Sequence, residues 1–144
     1  MPYLRKSYEI TPGCFVRAGE VSIQVQSILK SVGLGAELIR RASICAYEAE
    51  INVVMHGGEG TFVLSVGPEE ILMEISDNGS GIEDIKLALS EGYSTARQEH
   101  REIGFGAGMG LPNIMKNSDR FDIESKKGVG THLKIVFMVD LDGD

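Results

Sequence analysis

The 144-residue chain has no tryptophan, two cysteines and four prolines, and its aromatic residues amount to only 6%. Cys14 and Cys45 lack CxxC spacing. Neither a disulfide framework nor a cysteine-built metal centre is expected from them. Cys45 falls in an apolar helical stretch and reads as a small core residue. No run approaches the roughly 20 apolar residues that span a bilayer. The opening MPYLRKSYEI has none of the apolar centre of a secretory signal. A cytoplasmic protein with no membrane partner is expected. Positive charge is scarce too, with 14 Lys+Arg against 21 Asp+Glu, a net charge of −7. Without a concentrated basic patch, nucleic acid is not an expected partner. The pairs Arg40-Arg41 and Lys126-Lys127 read as solvated surface. His56, His100 and His132 have no ligand-spaced companions, so no zinc site is proposed. His56, closing a helix, suits a C-terminal dipole partner.

An apolar share of 42% and a charged share of 24% are ordinary for a globular protein, and the length suits one domain over 1–144 with its own core. Glycine is abundant, at 18 of 144 residues, where an average chain has about 7%. It clusters at Gly79 and Gly81, at Gly104, Gly106, Gly108 and Gly110, and at Gly128 and Gly130. Clustered glycine marks backbone that bends sharply or approaches a ligand closely.

Periodicity predicts the elements. Residues 3–17 read as extended. A helix is expected from about Ala18 to Val32, stopped by Gly33 and Gly35. A longer one runs from Ala36 to His56, with Leu38, Ile39, Ala42, Cys45, Ala46, Ala49 and Val53 at three/four spacing. Thr61–Val66 and Ile71–Ser76 read as a β-hairpin across Gly67-Pro68. A short helix is expected near Glu83–Ser90, then an irregular stretch over 91–108, then a helix over Met109–Asn117 with Pro112 in its first turn. Phe121–Ser125 and Thr131–Val139 form a last hairpin. Helices then hairpins imply a two-layer α/β sandwich, with an antiparallel or mixed sheet covered by helices on one face.

Four segments could carry chemistry. Glu48 and Asn52, one helical turn apart, project from one face. A carboxylate there can take a proton, and the pair offers oxygen to Mg²⁺, which prefers few protein ligands and phosphate oxygens. A solvated polar pair is the alternative; Glu50 points elsewhere. Asp77-Asn78-Gly79-Ser80-Gly81 follows a strand, where an aspartate can accept from an exocyclic amine and glycines admit a flat ring. These are equally the residues of a tight turn. Gly104 to Leu111 (GFGAGMGL) precedes a helix whose free N–H groups can hold phosphate. It has no GxxxxGK[ST], so it is not a Walker loop. No strand leads into it as a dinucleotide fold requires. Gly128-Val129-Gly130-Thr131 sits at the last hairpin, and Thr131 meets a ligand only if that turn lies beside Asp77.

In this order EAEIN (48–52), DNGSG (77–81), GFGAGMGL (104–111) and GVGT (128–131) resemble the N, G1 and G2 boxes and final glycine-threonine of the gyrase, histidine kinase and MutL ATPase superfamily. With EGYSTA (91–96), the chain is most similar to the small anti-sigma factor and switch serine/threonine kinases of bacterial partner-switching modules. The resemblance covers about residues 8–139. It implies a Bergerat-type ATP-binding fold, with a mixed, mostly antiparallel sheet, that uses ATP and Mg²⁺. Glu48 would be the general base and Asn52 the magnesium ligand. Asp77 would accept from the adenine amine, with Gly81 close to the base. Gly106, Gly108 and Gly110 would form the lid over the phosphates, and Gly79, Gly104, Met109 and Leu111 would also belong to the ATP site. Thr131 would add a hydroxyl near the adenine. The implied activity is phosphorylation of a small antagonist protein of the sulfate-transporter/anti-sigma-antagonist (STAS) type. A sigma factor or another regulator would be the second partner, and a homodimer is compatible with the resemblance. A nucleotide-gated binding module with little transfer, or a slow ATPase, is the alternative. The charged stretch 97–103 is a longer lid or a solvated turn. No histidine-bearing dimerisation helix is seen, so a complete sensor histidine kinase is not expected.

Overall fold

The structure, a computed structural model, describes residues 4–13, 15–56, 58–79, 81 and 110–139. Strict alternation builds the sheet. Strands β1 (Leu4–Ile10), β2 (Gly60–Val66), β3 (Glu70–Asp77), β4 (Arg120–Lys126) and β5 (Gly130–Met138) pair in the order β1-β2-β3-β5-β4. Phe62, Leu64, Ile71, Met73, Ile75, Leu133, Ile135 and Phe137 turn to one face and are buried. Thr61, Ser76, Asp122 and Lys134 alternate onto the other and are exposed. On that outer face the Ser76 hydroxyl lies 2.6 Å from His132 Nδ1, and Glu74 lies 3.7 Å from Nε2. His132 is thus engaged with its cross-strand neighbours.

All four described pairings are antiparallel, so the sheet expected to be mixed is uniform among the described residues. Two helices between β1 and β2 explain the first pair. They run out and back, returning the chain to the end at which β1 left. These are α1 (Glu20–Ser31) and α2 (Ala36–His56). A third helix, α3 (Gly110–Asn117), packs on α2 and precedes β4. No helix among the described residues is long and apolar enough to cross a membrane. The expected helix over 83–90, the stretch 91–108 and Cys14 lie outside the described residues.

The expected extended run 3–17 is shorter. The strand ends at Ile10, and Phe15–Arg17 is a 3₁₀ turn. Gly13, at φ 71°, sends its N–H to the Val54 carbonyl at 2.8 Å and turns the chain away from the sheet. Helix α1 starts two residues later than expected because Gly19, at φ 98°, is left-handed and cannot sit inside a helix. At its other end Gly33, at φ 81°, closes the helix by donating to the Lys30 carbonyl at 3.1 Å.

Gly19 brings no side chain to cap α1. The first N–H groups of a helix need acceptors, and Glu50 of α2 provides them from 28 to 31 residues away. Its Oε2 accepts from Gly19 and Val21 at 3.0 and 3.2 Å, and its Oε1 from Ser22 at 3.0 Å. At 2% exposure this carboxylate is a buried charge paired only with amides and the positive end of a helix. Replacing one of its oxygens by an NH₂ group leaves a buried donor unmatched. Glu50→Gln is therefore expected to cost about 1–3 kcal/mol in urea unfolding; an unchanged midpoint would show that water, not Glu50, satisfies α1.

Candidate nucleotide site

Helix α2 supplies two of the expected site residues. Glu48 and Asn52 are half-buried, one turn apart. Among the described residues neither carries a hydrogen bond or ion pair. Burial pushes the Glu48 carboxyl above its ordinary range. What lies against it is the start of α3: a Cβ built on Gly110 would stand 3.4 Å from Glu48 Oε2. A desolvated carboxylate thus faces the end of a helix whose first N–H groups have no intrahelical acceptor. Cys45, on the same stripe, is buried with its thiol pushed up to about 12, chiefly by burial, and is inert core as expected.

A second group forms where β3 ends and β5 begins. Asp77 pairs directly with Thr131 across the sheet. Asp77 Oδ1 accepts from the Gly79 N–H at 2.9 Å, so the tight-turn reading of this segment is correct for one of its oxygens. No described residue donates to the other oxygen. The Asn78 N–H is tied to the Glu59 carbonyl at 3.2 Å. Thr131 is 7% exposed, its hydroxyl 2.8 Å from that of Ser125.

Two glycines are required here by space as well as by φ. A Cβ on Gly130 (φ 142°) would overlap the Asp77 carbonyl, and one on Gly81 (φ 77°) would overlap the Lys126 carbonyl. The 77–81 segment is therefore wedged against the β4–β5 turn, and the condition that places Thr131 beside Asp77 is met. The two groups join through Gly60. It pairs with Asp77 and lies so near α2 that a Cβ on it would fall 2.6 Å from Val53 Cγ1. Val53 follows Asn52, so the carboxylate helix abuts the strand end that carries Asp77.

Gly104, Gly106, Gly108 and Met109 lie outside the described residues, as do 97–103. Leu111 is 6% exposed and belongs to the core, where it anchors α3. Two residues with clear roles escaped the sequence reading. Glu50 is one; no local pattern announces a cap made from a distant helix. Arg41 is the other, read as solvated surface. Arg40 fits that reading, being exposed and paired with Glu37 at 2.6 Å. Arg41 does not: it is partly buried and donates to the Asn117 carbonyl at 3.1 Å. The correction follows from helix geometry, since adjacent residues point about 100° apart.

The model of the histidine kinase-like ATPase domain matches residues 16–137. The chain belongs to this ATPase domain family. ATP is the nucleotide that such a domain is built to use. Its curated relatives include the Serine/threonine-protein kinase RsbT of Bacillus subtilis, 26% identical over 115 residues, covering 77% of this chain and 80% of that protein. The Anti-sigma F factor of Thermoanaerobacter sp. (strain X514) is 31% identical over 100 residues, 66% of each chain. The Anti-sigma F factor of Clostridium acetobutylicum is 28% identical over 116 residues, 77% of this chain and 78% of that protein. Serine/threonine-protein kinase and anti-sigma factor, the names these relatives carry, are those of the family the sequence resembles.

The glycine geometry is testable by a matched pair. Gly128 has φ 81° but open space around its Cβ position, whereas Gly130 has none. Gly128→Ala should cost only the left-handed backbone, about 1 kcal/mol. Gly130→Ala should cost more in urea unfolding and also weaken ATP binding by calorimetry, because it displaces Asp77. Equal effects of the two substitutions would dismiss the wedge.

Proposed function

We propose that this chain is an ATP-dependent protein serine/threonine kinase and regulatory switch. Its phosphoacceptor is a hydroxyl on a small STAS-type antagonist protein. The observation that carries this reading is Glu48: a half-buried carboxylate with no described donor, set against the start of α3 and one turn from Asn52. In this reading residues 1–144 form one ATP-binding kinase unit acting in the cytoplasm.

Phosphoryl transfer asks for positioning and charge neutralisation more than covalent chemistry. Asp77 accepts from the adenine amine through the oxygen that the Gly79 turn leaves open, while Gly81 and Thr131 border the ring. The start of α3 turns its N–H groups toward the phosphates. Glu48 takes the proton of the acceptor hydroxyl as the new O–P bond forms and the P–O bond to ADP breaks. Asn52 fits a magnesium ligand, since its neutral oxygen is free of described hydrogen bonds beside one carboxylate. The metal, when bound there, supplies charge neutralisation at the phosphates.

The test is incubation with labelled ATP, Mg²⁺ and the cognate antagonist. Label should pass to the antagonist with the native chain and not with Glu48→Gln. Transfer that survives in Glu48→Gln removes the base assignment, and no transfer to the true partner removes the kinase. The relatives named anti-sigma F factor favour a second output from the same site, ATP-dependent sequestration of a regulator. Co-purification that needs ATP yet tolerates Glu48→Gln would report that output.

Two further outcomes are expected. Asp77→Asn should weaken ATP binding by about 1–3 kcal/mol, because an NH₂ group then faces the amine; unchanged affinity by calorimetry would dismiss the adenine contact. Glu48 gives a stability signature. Burial raises its folded pKa, so the folded state prefers the protonated acid and ionisation at neutral pH costs stability. Glu48→Gln should therefore raise the urea midpoint at neutral pH. That gain should fade in acid, where the native side chain is uncharged too. A lower midpoint at neutral pH would contradict the strained-carboxylate picture.

A further inference from the structure

Arg41, Cys45 and Glu48 follow one another at steps of four and three along α2, and so share a stripe. Each faces α3, which runs the opposite way. The Arg41 Nη1 donates to the carbonyl of Asn117, the last residue of α3, at 3.1 Å. The Cys45 thiol points to the Ile114 carbonyl at 3.6 Å. Glu48 meets Gly110, the first residue of α3. The three rungs differ in strength. The thiol is a weak donor, and the Glu48 rung makes no bond. Only the Arg41 rung is charge-assisted, and it sits where a cation is favoured, at a helix C-terminus.

That rung is itself held. Arg41 Nη1 lies 3.5 Å from Asp119 Oδ1, and the guanidinium carbon stands 5.9 Å from the ring centre of Phe137, a fully buried residue of β5. Asp119 is fixed in turn: Oδ2 accepts from the Met138 N–H at 2.7 Å, and its own N–H donates to Val136 at 3.0 Å. The far end of α3 is therefore fastened to α2 and the sheet together, while among the described residues no side-chain bond ties its near end to Glu48. Eight residues of helix make a rod of about 12 Å, stiff enough to carry position from one end to the other.

We infer that Arg41 is a positioning residue for the triphosphate: by fastening the C-terminus of α3 it sets where the helix presents its first N–H groups beside Glu48. This rests on the reading that those groups face the phosphates. A merely structural Arg41 would affect every ligand of the site alike, so the discriminating quantity is the ratio of ATP to adenosine affinity. Adenosine uses the Asp77 group and none of α3.

The experiment is calorimetric titration of the full chain with Mg-ATP and with adenosine, at a temperature where circular dichroism shows each variant folded. Arg41→Ala should weaken ATP by about tenfold, the loss of one charge-assisted hydrogen bond's worth of placement, with adenosine held within about twofold. Arg41→Lys should recover part of the loss, and Arg40→Ala should change neither. Asp119→Asn reaches the same fastening from the sheet side, leaves α2 intact, and should lower ATP selectively by a smaller factor. Equal losses for both ligands, or no loss of ATP in Arg41→Ala and Asp119→Asn, overturn the inference while the ATP site stands. A native chain that binds adenosine but not ATP overturns the phosphate reading and the inference with it.

Discussion

Everything in this molecule is arranged around how closely α2 can be approached. The middle of its buried face is Ala42, Cys45, Ala46 and Ala49, each fully buried and none larger than a thiol, between Leu38 and Val53 at its ends. Small side chains let the backbones of α3 and the sheet come near enough for polar groups of α2 to reach them directly. The Cys45 thiol touches a carbonyl of α3, and Glu50 reaches three amides at the start of α1, that of the preceding Gly19 included. Larger residues on this stripe would push both neighbours outward. They would leave α1 uncapped and separate Gly110 from Glu48.

Two carboxylates two residues apart then meet opposite fates. Two steps along a helix turn a side chain by about 200°, so Glu48 and Glu50 look out of nearly opposite sides of α2. Glu50 finds three N–H groups and the positive end of α1, and its charge is fully compensated despite near-complete burial. Glu48 finds no described donor, and burial raises its pKa. An uncompensated carboxylate kept half out of water lowers stability and is a stronger proton acceptor than an ordinary one. The same helix thus spends one glutamate on holding the fold and withholds compensation from the other.

Local patterns foretold the elements well because local physics sets them. Gly33 and the alternation through Phe62, Leu64, Ile71, Met73 and Ile75 mark ends and faces that depend on neighbours in sequence. The span of α2 is the one expected, Ala36 to His56. The site was legible as types and order of residues, since Glu48, Asn52, Asp77, Gly81 and Thr131 stand in segments with a familiar succession. Arg41 and Glu50 were not legible in the same way. Their hydrogen-bond partners lie 76 and 28 to 31 residues away, and those partner atoms are backbone groups. A long-range bond to a main-chain atom leaves no trace in the identity of the partner. The start of α1 failed for a related reason: Gly19 reads as a tolerable helix residue until its left-handed φ is seen.

The acidity of the chain poses a last question, because ATP is a polyanion and the protein carries −7. The proposed function answers it with main-chain dipoles. Backbone N–H groups act as fixed positive partial charges that need no cation and cost no reorganisation as the phosphates arrive. Their value depends on placement, for a dipole's field falls off faster than a charge's. Placement here is governed by packing: Gly130 against the Asp77 carbonyl at one end, and α3 between Arg41 and Glu48 at the other. Among the described residues, the side-chain cation that hydrogen-bonds this helix from α2 is Arg41, and it does so at the end remote from Glu48. A cation beside Glu48 would stabilise the carboxylate, lower its basicity and weaken it as a proton acceptor. In the proposed function, an acidic surface and a carboxylate base are compatible with anion binding because main-chain amides, placed by packing, supply the attraction.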